Sequence, residues 1–133
     1  MAVFKVIDGE QVRTKRVTIA SATVIPAGAF AGMTNGLAVD AIETTAKIAW
    51  CPAGSADGET VCELSIGKDF VLEGTADAVF AVTQKGAEVD LTAAQLIDVG
   101  SSSTDVLLQD ISENAGVVGS VNNVRVRINK PLF

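Results

Sequence analysis

The chain has 133 residues, 48% hydrophobic but only 5% aromatic, and carries a net charge of −6. That length fits a single domain with its own core, one filled by Ala, Val, Ile and Leu more than by aromatic anchors. The acidity argues against general nucleic-acid binding, which needs clustered cations and for which the short basic ends leave only a local exception; no apolar run reaches the roughly 18 residues of a membrane-spanning helix.

Taken in chain order, strand signals dominate. Val3–Ile7 and Gln11–Ala20 flank Asp8-Gly9-Glu10, a hairpin signal because Gly accepts positive φ. Arg13–Ile19 is polar on both faces, so it reads as an edge strand or an arm. Ala20–Gly36, rich in Ala and Gly with Pro26 at its centre, reads as a long connection ending in an Asn35-Gly36 turn. Strands are then expected at Leu37–Ile42, Thr44–Trp50 and Thr60–Ile66, with a hairpin-like loop at Pro52–Glu59. Phe70–Glu73, Ala78–Thr83 (as a buried strand) and Glu88–Leu91 follow, separated by Gly67-Lys68-Asp69 and Lys85-Gly86 turns. Leu91–Val99 is ambiguous and holds at most one or two helical turns, with Thr92 as cap. Val106–Ile111 and Val117–Ile128 complete the set, and Val124-Arg125-Val126-Arg127-Ile128 alternates strictly between apolar and cationic.

Short strands with turns every 8–12 residues predict an all-β fold. The expected form is a single small β-barrel or β-sandwich of antiparallel strands. Residues 1–35 are read as an extended N-terminal arm and connection, and 36–133 as the β-rich body.

Charge is unevenly placed. Residues 1–16 carry Lys5, Arg13, Lys15 and Arg16 against two acids, and the last nine carry Arg125, Arg127 and Lys130 with none. Between them, three lysines face 14 carboxylates. Basic ends on an acidic body point to ends that meet an acidic surface. These seven cations are the candidate partner-binding residues.

A catalytic constellation is hard to assemble. The chain has no His and no Tyr. Scattered pairs such as Asp57/Glu59, Glu88/Asp90 and Asp105/Asp110 lack the spacing of a calcium loop and read as a solvated acidic face. Ser101-Ser102-Ser103 has no nearby base, and no phosphate-binding glycine loop is present. Gln95–Gly100 has a superficial likeness to an active-site strand of trimeric dUTP pyrophosphatases, but the aromatic that stacks on the base is missing. Cys51 and Cys62 flank the Pro52–Glu59 loop. They suit a disulfide or half of a metal site, or else two small buried hydrophobes kept reduced in the cytoplasm. Two thiols without His do not complete a zinc site, and the rarity of cytosolic disulfides favours the buried, reduced pair. Trp50 is read as a core or interface residue. No catalytic residue, cofactor or metal is assigned. The start of the chain, MAVFKVIDGEQ, lacks the basic stretch and apolar core of a secretory signal, so synthesis in the cytoplasm is expected.

Residues 82–92 (VTQKGAEVDLT), 95–100 (QLIDVG), 103–108 (STDVLL) and the ending NNVRVRINKPLF together resemble the head decoration, or cement, proteins of tailed bacteriophages. The resemblance covers roughly residues 60–133, while the N-terminal part agrees in character more than in motif. It implies an all-β, often trimeric protein that binds the major capsid protein on the outside of the mature shell, places the chain on the virion exterior, and brings no enzymatic activity. Two other readings stay open: a tail-tube, neck or tail-tip component, and a small β-barrel ligand-binding protein or enzyme.

Overall fold

The computed structural model describes residues 4–9, 12–110 and 117–133. Among them the chain is all-β, with several antiparallel sheets in a sandwich- or barrel-like arrangement that is not a closed barrel. Parts of the expected elements, among them Val3, Glu10, Gln11 and Ile111, lie outside the described residues.

The largest sheet has six strands. They are β1 (Lys5–Gly9), β7 (Phe70–Gly74), β11 (Val124–Ile128), β10 (Leu107–Gln109), β8 (Glu88–Leu91) and β9 (Ile97–Asp98), in that spatial order. Every ladder in it is antiparallel. A parallel bridge between Ala76 and Ile97 draws the β9 edge back toward the end of β7 and curls the sheet. The inner face holds Leu72, Val89, Leu91, Leu107, Val124, Val126 and Ile128, all buried. Alternation in β11 is as the sequence predicts, with apolar residues buried and Arg125 and Arg127 half-buried on the other face. Each fully buried side chain of this kind contributes about 1.5–3 kcal/mol.

Two smaller sheets form a second layer. One pairs β2 (Thr14–Thr18) with β6 (Val61–Ser65); the other has the order β4 (Leu37–Asp40), β3 (Ala29–Thr34), β5 (Ala49–Cys51). A parallel bridge from Ile19 to Ala38 ties β2 to β4, and the Trp50 N–H donates to Ser65 Oγ at 2.8 Å between β5 and β6. The five strands thus wrap a core of small side chains: Ala29, Ala31, Ala38, Ala49, Cys51 and Cys62, with Ile25 and Leu64. Phe4 stacks on Phe30 at 4.4 Å, and the Trp50 indole donates to the carbonyls of Phe4 and Gly28, which joins the layers. Gly74 permits this packing, because a Cβ there would collide with the Phe4 ring.

Several expected elements differ. β1 and β2 are not a hairpin: Lys5 pairs with Glu73 on β7, and Arg16 with Glu63 on β6. Residues 4–9 and 14–18, read as part of an arm, are paired strands, and Phe4, Val17 and Ile19 are buried in the cores. The connection expected at Ala20–Gly36 contains β3, the central strand of its sheet, whose Ala29–Gly32 are buried. Its small residues allow close packing: a Cβ on Gly32 would stand 2.6 Å from Thr45 Cγ2. The Asn35-Gly36 turn does form, with φ of 51° and 78°, and connects β3 to β4. Ala78–Thr83 is not a buried strand; Val79 and Val82 are exposed, and a 3₁₀ turn begins at Val82. Of Thr44–Trp50, only the end belongs to a strand.

Candidate functional site

The seven cations fall on two different sheets. On the outer face of the six-stranded sheet, Glu73 of β7 lies between Lys5 of β1 and Arg125 of β11. Lys5 Nζ is 3.4 Å from Glu73 Oε1, and Arg125 Nε is 3.4 Å from Glu73 Oε2. Arg127 Nε stands 3.4 Å from Asp110 Oδ1, and the Asp110 N–H donates to the Arg125 carbonyl. Lys130 donates to the Thr104 carbonyl at 2.8 Å. The C-terminal cations are therefore engaged with their own fold, and the carboxylates of Glu73 and Asp110 that receive two of them are largely buried.

The second set sits on β2 and the residue before it. Among the described residues β2 has a ladder partner only in β6, and Thr14, Lys15 and Arg16 are all exposed, as is Arg13. Arg16 reaches Glu63 at 3.7 Å, and Thr14 Oγ1 donates to the same carboxylate at 2.8 Å. That Arg16–Glu63 pair is exposed, so it holds the guanidinium weakly. Lys15 Nζ lies 4.8 Å from the centroid of Phe133, a cation–π contact that presents the ammonium beside the C-terminus. Arg13 forms no ion pair among the described residues. Leu132 and Phe133 pack against the second core, and the Gly67 N–H donates to the Phe133 carbonyl, which fixes this platform. The most available positive surface is thus Arg13, Lys15 and Arg16.

Sequence reasoning missed Glu73, Asp110 and Phe133 as the partners of the cations. Glu73 and Lys5 lie on the same face of paired strands, but only the non-local register reveals it. Phe133 packs against the second core and also lies under the Lys15 ammonium.

Asp90 holds the 101–105 loop. Asp90 accepts from Ser101 Oγ at 2.6 Å, from the N–H groups of Ser103, Thr104 and Asp105 at 2.8–2.9 Å, and from Thr104 Oγ1 at 3.0 Å. Burial alone raises its pKa, but these donors outweigh burial and bring it down to about 2. A depressed carboxyl pKa stabilises the fold above the unfolded value near 3.8, and that stability is lost as pH falls through about 2. Asp98 is shifted the other way, upward, by burial and by the charge of Asp77. Comparing wild type with Asp90→Asn isolates the Asp90 contribution. The difference in Tm between the two should be full above pH 5 and shrink steadily on titration from pH 4 to pH 2. A difference independent of pH would assign the 101–105 loop to packing instead of to the carboxylate.

Gln95 of the expected Gln95–Gly100 stretch is a buried clasp. It accepts from the Phe30 N–H and donates to the Phe30 and Ala41 carbonyls and to Asp40. Burial raises the pKa of Asp40, while the Gln95 amide lowers it in part. Beside Asp40 a groove of about 460 Å³ runs past Met33, Val39, Ile42, Thr45 and Leu132. Among the described residues Asp40 is its one carboxylate and Lys47 its one cation. Among the described residues no group of three or more His, Cys, Asp or Glu is placed to hold a metal ion. No helix among them is long and apolar enough to cross a membrane. No protein-family model, no curated protein and no solved structure matches this chain.

Proposed function

We propose that this chain is a structural virion protein that docks on the outer surface of a tailed-phage capsid and stabilises the shell. The observation that carries the reading is the exposed basic strand, Arg13, Lys15 and Arg16, on a body whose residues 17–124 hold 14 carboxylates against three lysines. Its fixed β geometry suits a lattice contact, since little backbone freedom remains to be lost on docking. The resemblance of residues 60–133 to decoration proteins supports the same reading. Binding to the assembled lattice and not to free subunits stabilises the lattice by mass action. The partner is the major capsid protein. Decoration would be by homotrimers, and the exposed Val79, Val82, Val117 and Val118 offer apolar surface for a neighbouring copy. The first pair lies on a segment hydrogen-bonded to the second through Phe80, Gly119 and Ser120.

The test is co-sedimentation with purified shells of the phage that encodes the chain. Truncating the N-terminus is a poor probe, because Phe4 and β1 belong to the core. A triple reversal, Arg13→Glu, Lys15→Glu and Arg16→Glu, changes exposed groups and should leave the melt close to wild type. Wild type should bind, with affinity falling as salt rises, because exposed charges are screened beyond about 8 Å at physiological ionic strength. The triple variant should lose binding at least tenfold at low salt. Salt-independent binding that survives the reversal would move the contact to an apolar face, and absence of binding to shells would remove the capsid reading.

A further inference from the structure

Cys51 and Cys62 are both free and buried. They lie in the same small-residue core on adjacent strands, Cys51 ending β5 and Cys62 in β6. The two thiols are near enough for each to shift the other's titration. The turn that follows Cys51 is tightly fixed. Gly54 has φ of +67°, and a Cβ there would stand 2.5 Å from the Ala27 nitrogen. The neighbouring Ser55 N–H donates to the Ile25 carbonyl, and the Ile25 N–H donates to Ser55 Oγ. The 52–61 loop therefore returns the chain along one defined path, with both thiols buried at its base.

We infer that Cys51 and Cys62 are a latent intramolecular disulfide, a modification site that a peroxide-class oxidant closes once the protein leaves a reducing environment. The placement is the one a bridge needs, two buried thiols in one core on neighbouring strands. Cys62 is 5% exposed and Cys51 is fully buried, so Cys62 is the entry point. Its thiolate attacks the peroxide O–O bond; the sulfur takes one oxygen to become a sulfenic acid, and the other oxygen leaves as water. The Cys51 sulfur then attacks the sulfenic sulfur, its proton leaves with the hydroxyl as a second water, and the S–S bond forms. Two thiols are oxidised by two electrons, and one peroxide is reduced.

Burial, together with the neighbouring thiol, holds the Cys51 thiol up at about 12, and burial also raises Cys62. Few thiolates are then present at neutral pH, so closure is slow and the pair stays reduced through brief oxidant exposure. The consequence falls on the basic strand. Cys62 pairs with Val17 of β2, so a bridge from β5 fixes the strand that backs Lys15 and Arg16. The chemistry does not depend on the capsid reading, because its test uses the isolated protein.

The purified full-length protein is incubated with hydrogen peroxide for hours, and free thiols are counted under denaturing conditions by maleimide labelling and mass spectrometry. Both thiols should disappear together, with the loss of two hydrogens and no covalent dimer. The Tm should rise by roughly 5–10 °C, since the bridge restricts the unfolded chain. A thiol reductant should restore both thiols and the original Tm. Cys51→Ala should instead accumulate oxygen on Cys62 and show no rise in Tm. Stepwise oxygen addition to Cys62 in the wild type with Cys51 left free, an intermolecular dimer, or a bridge that lowers the Tm would each overturn the inference.

Discussion

Val126→Asp should abolish cooperative folding at neutral pH. Val126 is fully buried in β11, which is flanked by β7 and β10, and it faces Leu72 on one side and Gln109 on the other. A carboxylate at that point is fully buried, and the two cations of its own strand, Arg125 and Arg127, lie on the opposite face. The Gln109 amide opposite it is buried with no hydrogen-bond partner among the described residues. A neutral amide replaces little of a carboxylate's hydration, and the lost valine burial adds about 1.5–3 kcal/mol. Together these costs approach the 5–15 kcal/mol that a domain commonly has in total. Circular dichroism melts should show no sharp transition at pH 7. Partial recovery near pH 4, where the new acid is neutral, would identify the charge as the main cause. A melt within a few degrees of wild type at pH 7 would mean that β11 is not central to the core.

The strand just discussed was legible because its burial is a local pattern. Val124, Val126 and Ile128 alternate with two arginines, and a two-residue period is enough to assign a face. The Asn35-Gly36 turn was legible for a similar reason, since its residue types match the positive φ that the turn requires. β3 was not. In Ala29-Phe30-Ala31-Gly32 every residue is apolar or glycine and both faces are buried, so no alternation is left to read. The Asp8-Gly9 signal was misleading because the strands on either side find better partners far away in sequence, Glu73 for Lys5 and Glu63 for Arg16. The same non-local pairing decides the candidate surface. Composition alone marks all seven cations equally, whereas register gives Arg125 to Glu73 and Arg127 to Asp110 and leaves the β2 group the more available.

Gln95→Leu should cost about 3–5 kcal/mol and loosen the contact between the two layers. Gln95 is 3% exposed and sits in the 92–96 turn with φ of +59°. The turn is itself closed by the Leu96 N–H donating to Thr92 Oγ1 at 3.1 Å. From there the Gln95 side chain reaches the other layer. Its Oε1 accepts from the Phe30 N–H at 2.8 Å, and its Nε2 donates to the Phe30 carbonyl at 2.9 Å, Asp40 Oδ1 at 2.8 Å and the Ala41 carbonyl at 3.1 Å. Leucine has a similar size but no polar atoms, so these groups lose the amide while their burial persists. Each buried group left short of a partner costs about 1–3 kcal/mol, and the losses are not fully additive. The Asp40 carboxyl, whose pKa burial raises and the Gln95 amide partly lowers, should shift further upward in the variant. Gln95→Glu separates the hydrogen bonds from the shape. It keeps an acceptor for Phe30 but turns a carboxylate toward two carbonyls and Asp40, so at pH 7 it should be at least as destabilising as leucine. Lowering the pH toward 4 should restore part of its stability by protonating the new acid, and should do less for the leucine variant. Urea melts of the three proteins at pH 7 and pH 4 provide the check. A leucine variant within about 1 kcal/mol of wild type at pH 7 would show that Gln95 is a passenger at the layer boundary and not its clasp.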